Sequence, residues 1–473
     1  MLPRLILLVL LCFMPRVLAQ ALPELGDVSA TAITPADEYR LGEDIMREIR
    51  RDPAYYDDPE VADYVNSLGN RLLARSDASR QEFEFFVVRD PQINAFALPG
   101  GFIGIHTGLI LAAQSESEVA GVVAHEIAHV TQRHIARMIN QQNQSQLMSI
   151  AALAVAILAA RSNSQIGEAA MAFGQAGVMQ SQLNFSRDNE READRVGLQL
   201  LEGAGFDPRG MAIFFERLQR ATRIYEGGAP SYLRTHPLTF ERIADIQNRI
   251  ENLPYRQVPD GLDFQLIRAK LRAESDTPRE AVAFFETSLT ERKFLSETAS
   301  RYGLVASLMR TRDFGRAQKE IAALRKTPSP IIENLACRLA DAAGRTADAL
   351  RCYQDALRSH PGSRALFYGN AEQLLRAGQA DAALKLASAR IQTQSGDARL
   401  YGIQAQAYAA LGNRLMQHRS QGEAYARSGR VGAAIEQLQI ALKSGQGDFY
   451  QLSATEARLR ELRKILLEQE RKR

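Results

Sequence analysis

The sequence predicts an α+β unit, mainly helical with a small sheet, followed by an all-α solenoid of stacked helix pairs. Three observations carry this. Between about Ala36 and Asn252, helical periodicity mixes with short apolar strands. The stretch LPYRQVPDGLD, 253–263, then places two prolines and a glycine where neither pattern continues. Beyond it, glycines return at a fixed interval. The chain has 473 residues, 45% of them apolar and 24% charged, enough for more than one core. The expected organisation is a leader over 1–19, the mixed unit over 20–252, a linker over 253–263 and the repeats over 264–473.

The leader is MLPRLILLVLLCFMPRVLA: an arginine near the start, an apolar run, and a small residue at its end. This pattern predicts a secretory signal cleaved before Gln20, since the run is about half the ~20 residues of a spanning helix. Cleavage removes Arg4 and Arg16 and no acid, so the formal net charge of +3 becomes +1. A near-neutral chain gives no argument for nucleic acid as a partner. Only Cys337 and Cys352 then remain. In an oxidising compartment they either pair as a disulfide or stay as two buried thiols.

Gly344, Gly378 and Gly412 stand 34 residues apart, and Ala349 and Ala383 each lie five past their glycine. Pro361 closes the second helix of the first unit. This resembles the tetratricopeptide repeat, whose helix pairs bury their apolar faces only by stacking on one another. The segments TPREAVAFFETSL, RDFGRAQKEIAAL and GRVGAAIEQLQIAL fit with less regular spacing.

The chemistry concentrates in VVAHEIAHVTQRH, 122–134. Ser115 begins a capping box and the valines and isoleucine keep an apolar pattern, which predicts one helix from about Glu116 to Met138. His125 and His129 lie about 40° apart on it, so both imidazoles can meet one zinc ion. Glu126, beside them, is placed to act as general base on a water and to pass the proton to a leaving amine. His134 falls on the opposite side, as a solvent or packing residue. A third ligand must come from elsewhere, and SRDNEREADRVG, 186–197, offers one. Ser186 caps a helix on which Glu190 and Asp194 share a face and Glu192 points away. Glu190 would complete an open two-histidine, one-glutamate set. Asp194 would accept a proton from a ligating imidazole.

HEIAH followed 61 residues later by EREAD resembles the Ste24-related family of zinc metallopeptidases. NAFALPGGFIGIHTGLI, 94–110, is similar to the strand and turn before that family's metal helix, and THPLTFERI, 235–243, to its downstream His-Pro segment. The resemblance implies a zincin-type metallopeptidase domain holding one Zn2+ per chain on His125, His129 and Glu190, with Glu126 catalytic. It implies His236 as a fourth, regulatory zinc ligand and Arg242 as the group that stabilises the oxyanion; the residues alone support only a polar loop near 236. It further implies a periplasmic endopeptidase with a chaperone role beside it. Its repeats would engage unfolded or misassembled outer-membrane proteins and the barrel-assembly machinery.

FIGIHTGLI reads as an edge strand able to pair with an extended peptide, with His106 on it and outside the ligand set. Residues 139–182 read either as a helical lid that touches membrane or client, or as a buried core helix. Their apolar stretch Met148–Ala160 has 13 residues, and the mature chain holds no run of 18, which argues against a membrane-embedded relative. The rival reading is a non-proteolytic chaperone or scaffold with a latent or structural zinc. The glutamate at position 126 speaks for the enzyme.

Overall fold

The computed structural model describes residues 33–74, 76, 81–141, 187–222, 231–251, 253–254 and 257–472. The leader, the Ser186 cap and nearly all of the segment over 139–182 lie outside the described residues.

Helix α1 (Pro35–Ile49) is started by Thr34, whose hydroxyl accepts from the Asp37 amide, and α2 (Pro59–Leu73) by Asp58, which accepts from the Glu60 and Val61 amides. Both have proline in the first turn, where a missing N–H costs nothing. Strands β1 (Glu84–Val88), β2 (Ala95–Leu98) and β3 (Phe102–His106) form a sheet in the order β1-β3-β2. β1 runs parallel to β3 and β2 antiparallel to it. The expectation of an edge strand at 102–110 is therefore corrected. β3 is central and buried along its whole length, because it pairs on both sides, and the chain turns directly into α3 (Thr107–Ala112). Among the described residues β1 and β2 are the two outer strands, β1 with an isolated bridge from Tyr55 to Val88 on its other side. β2 leads into β3 through Gly100 and Gly101 at φ 82° and 98°, a turn that side chains resist.

Helix α4 (Glu116–Thr131) is buried from Glu116 to Val130, which makes it the domain's central element. The single helix expected to reach Met138 is also corrected: the chain breaks at Arg133, φ 54°, and restarts as α5 (His134–Gln141). Helices α6 (Arg187–Gly203), α7 (Arg209–Thr222), α8 (Ser231–Thr235) and α9 (Phe240–Glu251) complete this half.

The second half is helical throughout the described residues: α10 (Leu262–Ser275), α11 (Pro278–Thr290), α12 (Glu297–Arg310), α13 (Phe314–Leu324), α14 (Pro330–Ala342), α15 (Thr346–Ser359), α16 (Arg364–Arg376), α17 (Ala380–Ile391), α18 (Ala398–Ala410), α19 (Arg414–Arg427), α20 (Val431–Leu442) and α21 (Phe449–Lys472). Gly344, Gly378 and Gly412 stand between the helices of successive pairs at φ 74–77°, the left-handed turn that ends a helix. Arg312, φ 62°, takes the same place between α12 and α13, so that unit carries no glycine mark. Ala349 and Ala383 are fully buried where the helices cross. A Cys337–Cys352 disulfide joins α14 to α15.

The two halves share one core. Lys270 of α10 donates to Asp58 and Glu60 of α2, both at 2.6 Å, and Asn334 of α14 donates to the other Glu60 oxygen at 2.8 Å. Asp260, in the connecting segment, accepts from the Glu116 amide at the start of α4 at 2.7 Å. Arg364 Nε reaches Asp63 at 2.6 Å and Arg51 donates to the Gly429 carbonyl, so the solenoid curls back along the first domain.

Candidate metal centre

Four buried donors converge from three places in the chain. α4 supplies His125 and His129, α6 supplies Glu190, and the residue after α8 supplies His236; one ligand atom from each lies within 4.8 Å of the others. The i,i+4 spacing stacks the two histidines so that their Nε2 atoms stand 3.0 Å apart. α6 reaches them because it carries Gly197 where it crosses α4: a Cβ there would stand 3.2 Å from the His125 amide nitrogen and 3.1 Å from Met211 Cε. Glu190 then puts Oε2 3.4 Å from His125 Nε2 and Oε1 3.4 Å from His129 Nε2. His236 Nδ1 stands 3.0 Å from Glu190 Oε1.

These separations fit a metal. Donor atoms arranged tetrahedrally ~2.1 Å from one ion stand about 3.4 Å apart, and two imidazoles with a carboxylate suit a borderline cation such as zinc. Glu126 lies beside the cluster at 0% exposure. Its oxygens face the Ala97 backbone amide, and His236 Nε2 stands 3.5 Å from Oε1. A buried carboxylate so placed is costly unless a cation or a water satisfies it.

The electrostatics divide the roles. Burial raises the Glu126 carboxyl above its ordinary value, only partly opposed by His236 and His125, as suits a proton acceptor. Burial pushes His129 well below its usual range, so the ring is neutral. Burial opposes charge on His125 as well, yet the Asp194 and Glu190 carboxylates lift it to about 9. Asp194 Oδ1 stands 3.0 Å from His125 Nδ1, so a ring that gives up one proton to a metal keeps the one on Nδ1 and frees Nε2 for the cluster. Glu190 is also buried, but the three histidines around it hold it well below the usual carboxylate range.

Arg242, of which an oxyanion role is expected, is held by groups beside the ligands. Its Nε and Nη2 donate to Asp194 at 2.8 Å each, Nη1 donates to the Pro237 carbonyl at 2.8 Å, and Nη1 lies 2.7 Å from Glu190 Oε2. All three nitrogens face the carboxylates and backbone that hold the histidines. His134 is also corrected: the break before it turns it from the far side of the helix to a fully buried place beside His129. Glu192, on the other face of α6 as expected, meets His134 there. His106 lies outside the cluster, 3.2 Å from Asp90. Sequence reasoning passed over Tyr232. Its ring stacks on His236 at 4.7 Å and its buried hydroxyl has no hydrogen-bond partner among the described residues. The one-turn spacing of Tyr232 and His236 was the available signal.

Residues 59–250 match the description Peptidase family M48. Over 452 residues the chain is 31% identical to the beta-barrel assembly-enhancing protease of Escherichia coli strain K12, covering 94% of this chain and 92% of that one. It is 28% identical over 447 residues to the protein of the same name in Yersinia pestis, again 94% and 92%. Over 227 residues it is 34% identical to the mitochondrial metalloendopeptidase OMA1 of Schizosaccharomyces pombe, 47% of this chain and 62% of that one.

Proposed function

This chain belongs to peptidase family M48, a family of metallopeptidases, and on that premise we propose that it is a periplasmic zinc endopeptidase that clears misassembled outer-membrane proteins and supports their assembly. The observation that carries the reading is the convergence of His125, His129, Glu190 and His236 next to the buried Glu126. In it, His125, His129 and Glu190 hold the zinc, and His236 is the fourth, regulatory donor. A zinc ion there supplies a Lewis acid and makes water a better nucleophile. Glu126 takes the proton of the attacking water and returns it to the leaving amine. Asp194 and Arg242 keep the ligands aimed.

Substrate enters along β2. That strand pairs with β3 on one side only among the described residues. An extended peptide added to its free edge would gain backbone hydrogen bonds with little demand on sequence. No helix among the described residues is long and apolar enough to cross a membrane. The repeats bring the protease to unfolded clients and to the barrel-assembly machinery, a reading supported by the names of the relatives and by the helix-pair architecture. Nothing in the site favours the scaffold alternative.

The deciding variant is Glu126→Gln. It is expected to abolish cleavage of unfolded protein while zinc content, read by elemental analysis, stays at one per chain. Undiminished cleavage with zinc in place would end this mechanism.

A further inference from the structure

The end of the metal helix is built with care. After Val130 the chain reverses at Arg133, whose guanidinium is held by the Glu38 carboxylate and, at 2.9 Å, by the Ile33 carbonyl. The break places His134, at 0% exposure, against the edge of the His129 ring, with Nδ1 facing Nδ1 at 2.9 Å. On its far side, His134 Nε2 stands 3.1 Å from Glu192 Oε2, which also accepts from Arg137 Nη2 at 2.7 Å.

Hydrogen-bond logic assigns the protons along this row. His129 turns Nε2 toward Glu190 and His125, so in a ligating ring Nε2 is bare and Nδ1 carries the proton. The nitrogen facing that proton, His134 Nδ1, must accept it. The proton of His134 is then on Nε2, pointing at a carboxylate that accepts only. No other arrangement leaves a ligating His129 with both close contacts attractive.

We propose that His134 is a positioning residue of the metal centre: it accepts from His129 Nδ1 and donates to Glu192, fixing the tautomer and the ring angle of His129. The proposal rests on reading His129 as a metal ligand. It gives His129 the support that Asp194 gives His125, with an imidazole as the first acceptor and a carboxylate behind it. A merely space-filling ring would not need both nitrogens aligned on partners.

The test compares His134→Asn with His134→Leu in the full chain. Asn keeps an acceptor near the place of Nδ1, whereas Leu fills the space and accepts nothing. Zinc affinity, measured by competition with a chromophoric chelator, is expected to fall about 10–100-fold in His134→Leu and to stay near wild type in His134→Asn. Thermal unfolding of the zinc-free proteins is recorded alongside, so a general loss of fold is seen separately. Unchanged affinity in His134→Leu, or equal loss in both variants, overturns the proposal. If His134→Leu does not fold, Glu192→Leu takes its place, and wild-type affinity there overturns it equally. Because the readout is binding, an inactive protein does not count against it. Should His129→Leu bind zinc as tightly as wild type, the ligand assignment has failed instead.

Discussion

Arg242 grips Asp194 with two parallel hydrogen bonds, Nε to Oδ2 and Nη2 to Oδ1, both 2.8 Å long. Asp194 in turn faces His125 Nδ1, so the guanidinium acts on the metal-facing ring through a carboxylate. Arg242→Gln leaves two buried acids without their cation, a change that costs about 3–5 kcal/mol. The expected outcome is a lower unfolding temperature and weaker zinc binding together. A variant with normal stability and full zinc that loses only turnover would restore the oxyanion role.

His236 stands within the donor cluster and is stacked by Tyr232; as the proposed fourth donor it would compete with substrate for that position. If the open form is only about 1–10% populated, His236→Ala raises the rate of cleavage of unfolded protein by about 10–100-fold. Initial rates on a labelled unfolded protein read this directly. No gain in rate, with zinc lost, would make His236 a structural ligand.

Helix geometry alone was enough to place His125, Glu126 and His129, because a fully helical stretch puts i and i+4 on one stripe. The same rule gave Glu190 and Asp194 a shared face on a second helix, but it took the upstream motif and the family resemblance to single that helix out. What was not legible was the helix break. Gln132 and Arg133 are not breaker residues, and the left-handed turn is held by Glu38 and the Ile33 carbonyl, about 100 positions earlier in the chain. His134 was misplaced for that reason, since every later angle was counted through a helix that had ended. The edge-strand reading failed similarly: alternation of large and small side chains marks a strand, but strand order is set by pairing with β1, which local pattern does not contain.

The disulfide closes a loop of sequence separation 15 inside the first regular helix pair. A loop of that size removes unfolded-state entropy worth about 3 kcal/mol. The double variant Cys337→Ser with Cys352→Ser is therefore expected to unfold at lower temperature or denaturant, and reductant should shift the wild type toward it. Because the bond lies in the repeats, zinc content is expected to stay unchanged. Equal stability of variant and wild type under oxidising conditions would mean that the thiols are not paired in solution.

Lys270 joins the two halves, and its behaviour with pH can be worked out by sign. Burial opposes its charge, yet Glu60 and Asp58 hold its pKa above the ordinary value. Its contribution is thus full below the unfolded lysine value, ~10.4, and is lost as pH rises through the higher folded one. Burial would raise Asp58, but Lys270 more than offsets this and lowers it. That contribution is present above ~3.9 and is lost as pH falls through the lower folded value. Between those limits the junction should be insensitive to pH. Lys270→Met removes the cation and strands two carboxylates on α2, with an expected loss of about 3–5 kcal/mol at neutral pH. In that variant burial of Asp58 is no longer offset by Lys270, so the deficit is present at neutral pH and shrinks as the medium is acidified and Asp58 takes up a proton. Denaturant melts of wild type and variant between pH 4 and 8 would show the gap closing toward acid. A gap constant across that range would mean that Lys270 acts by packing and not by charge.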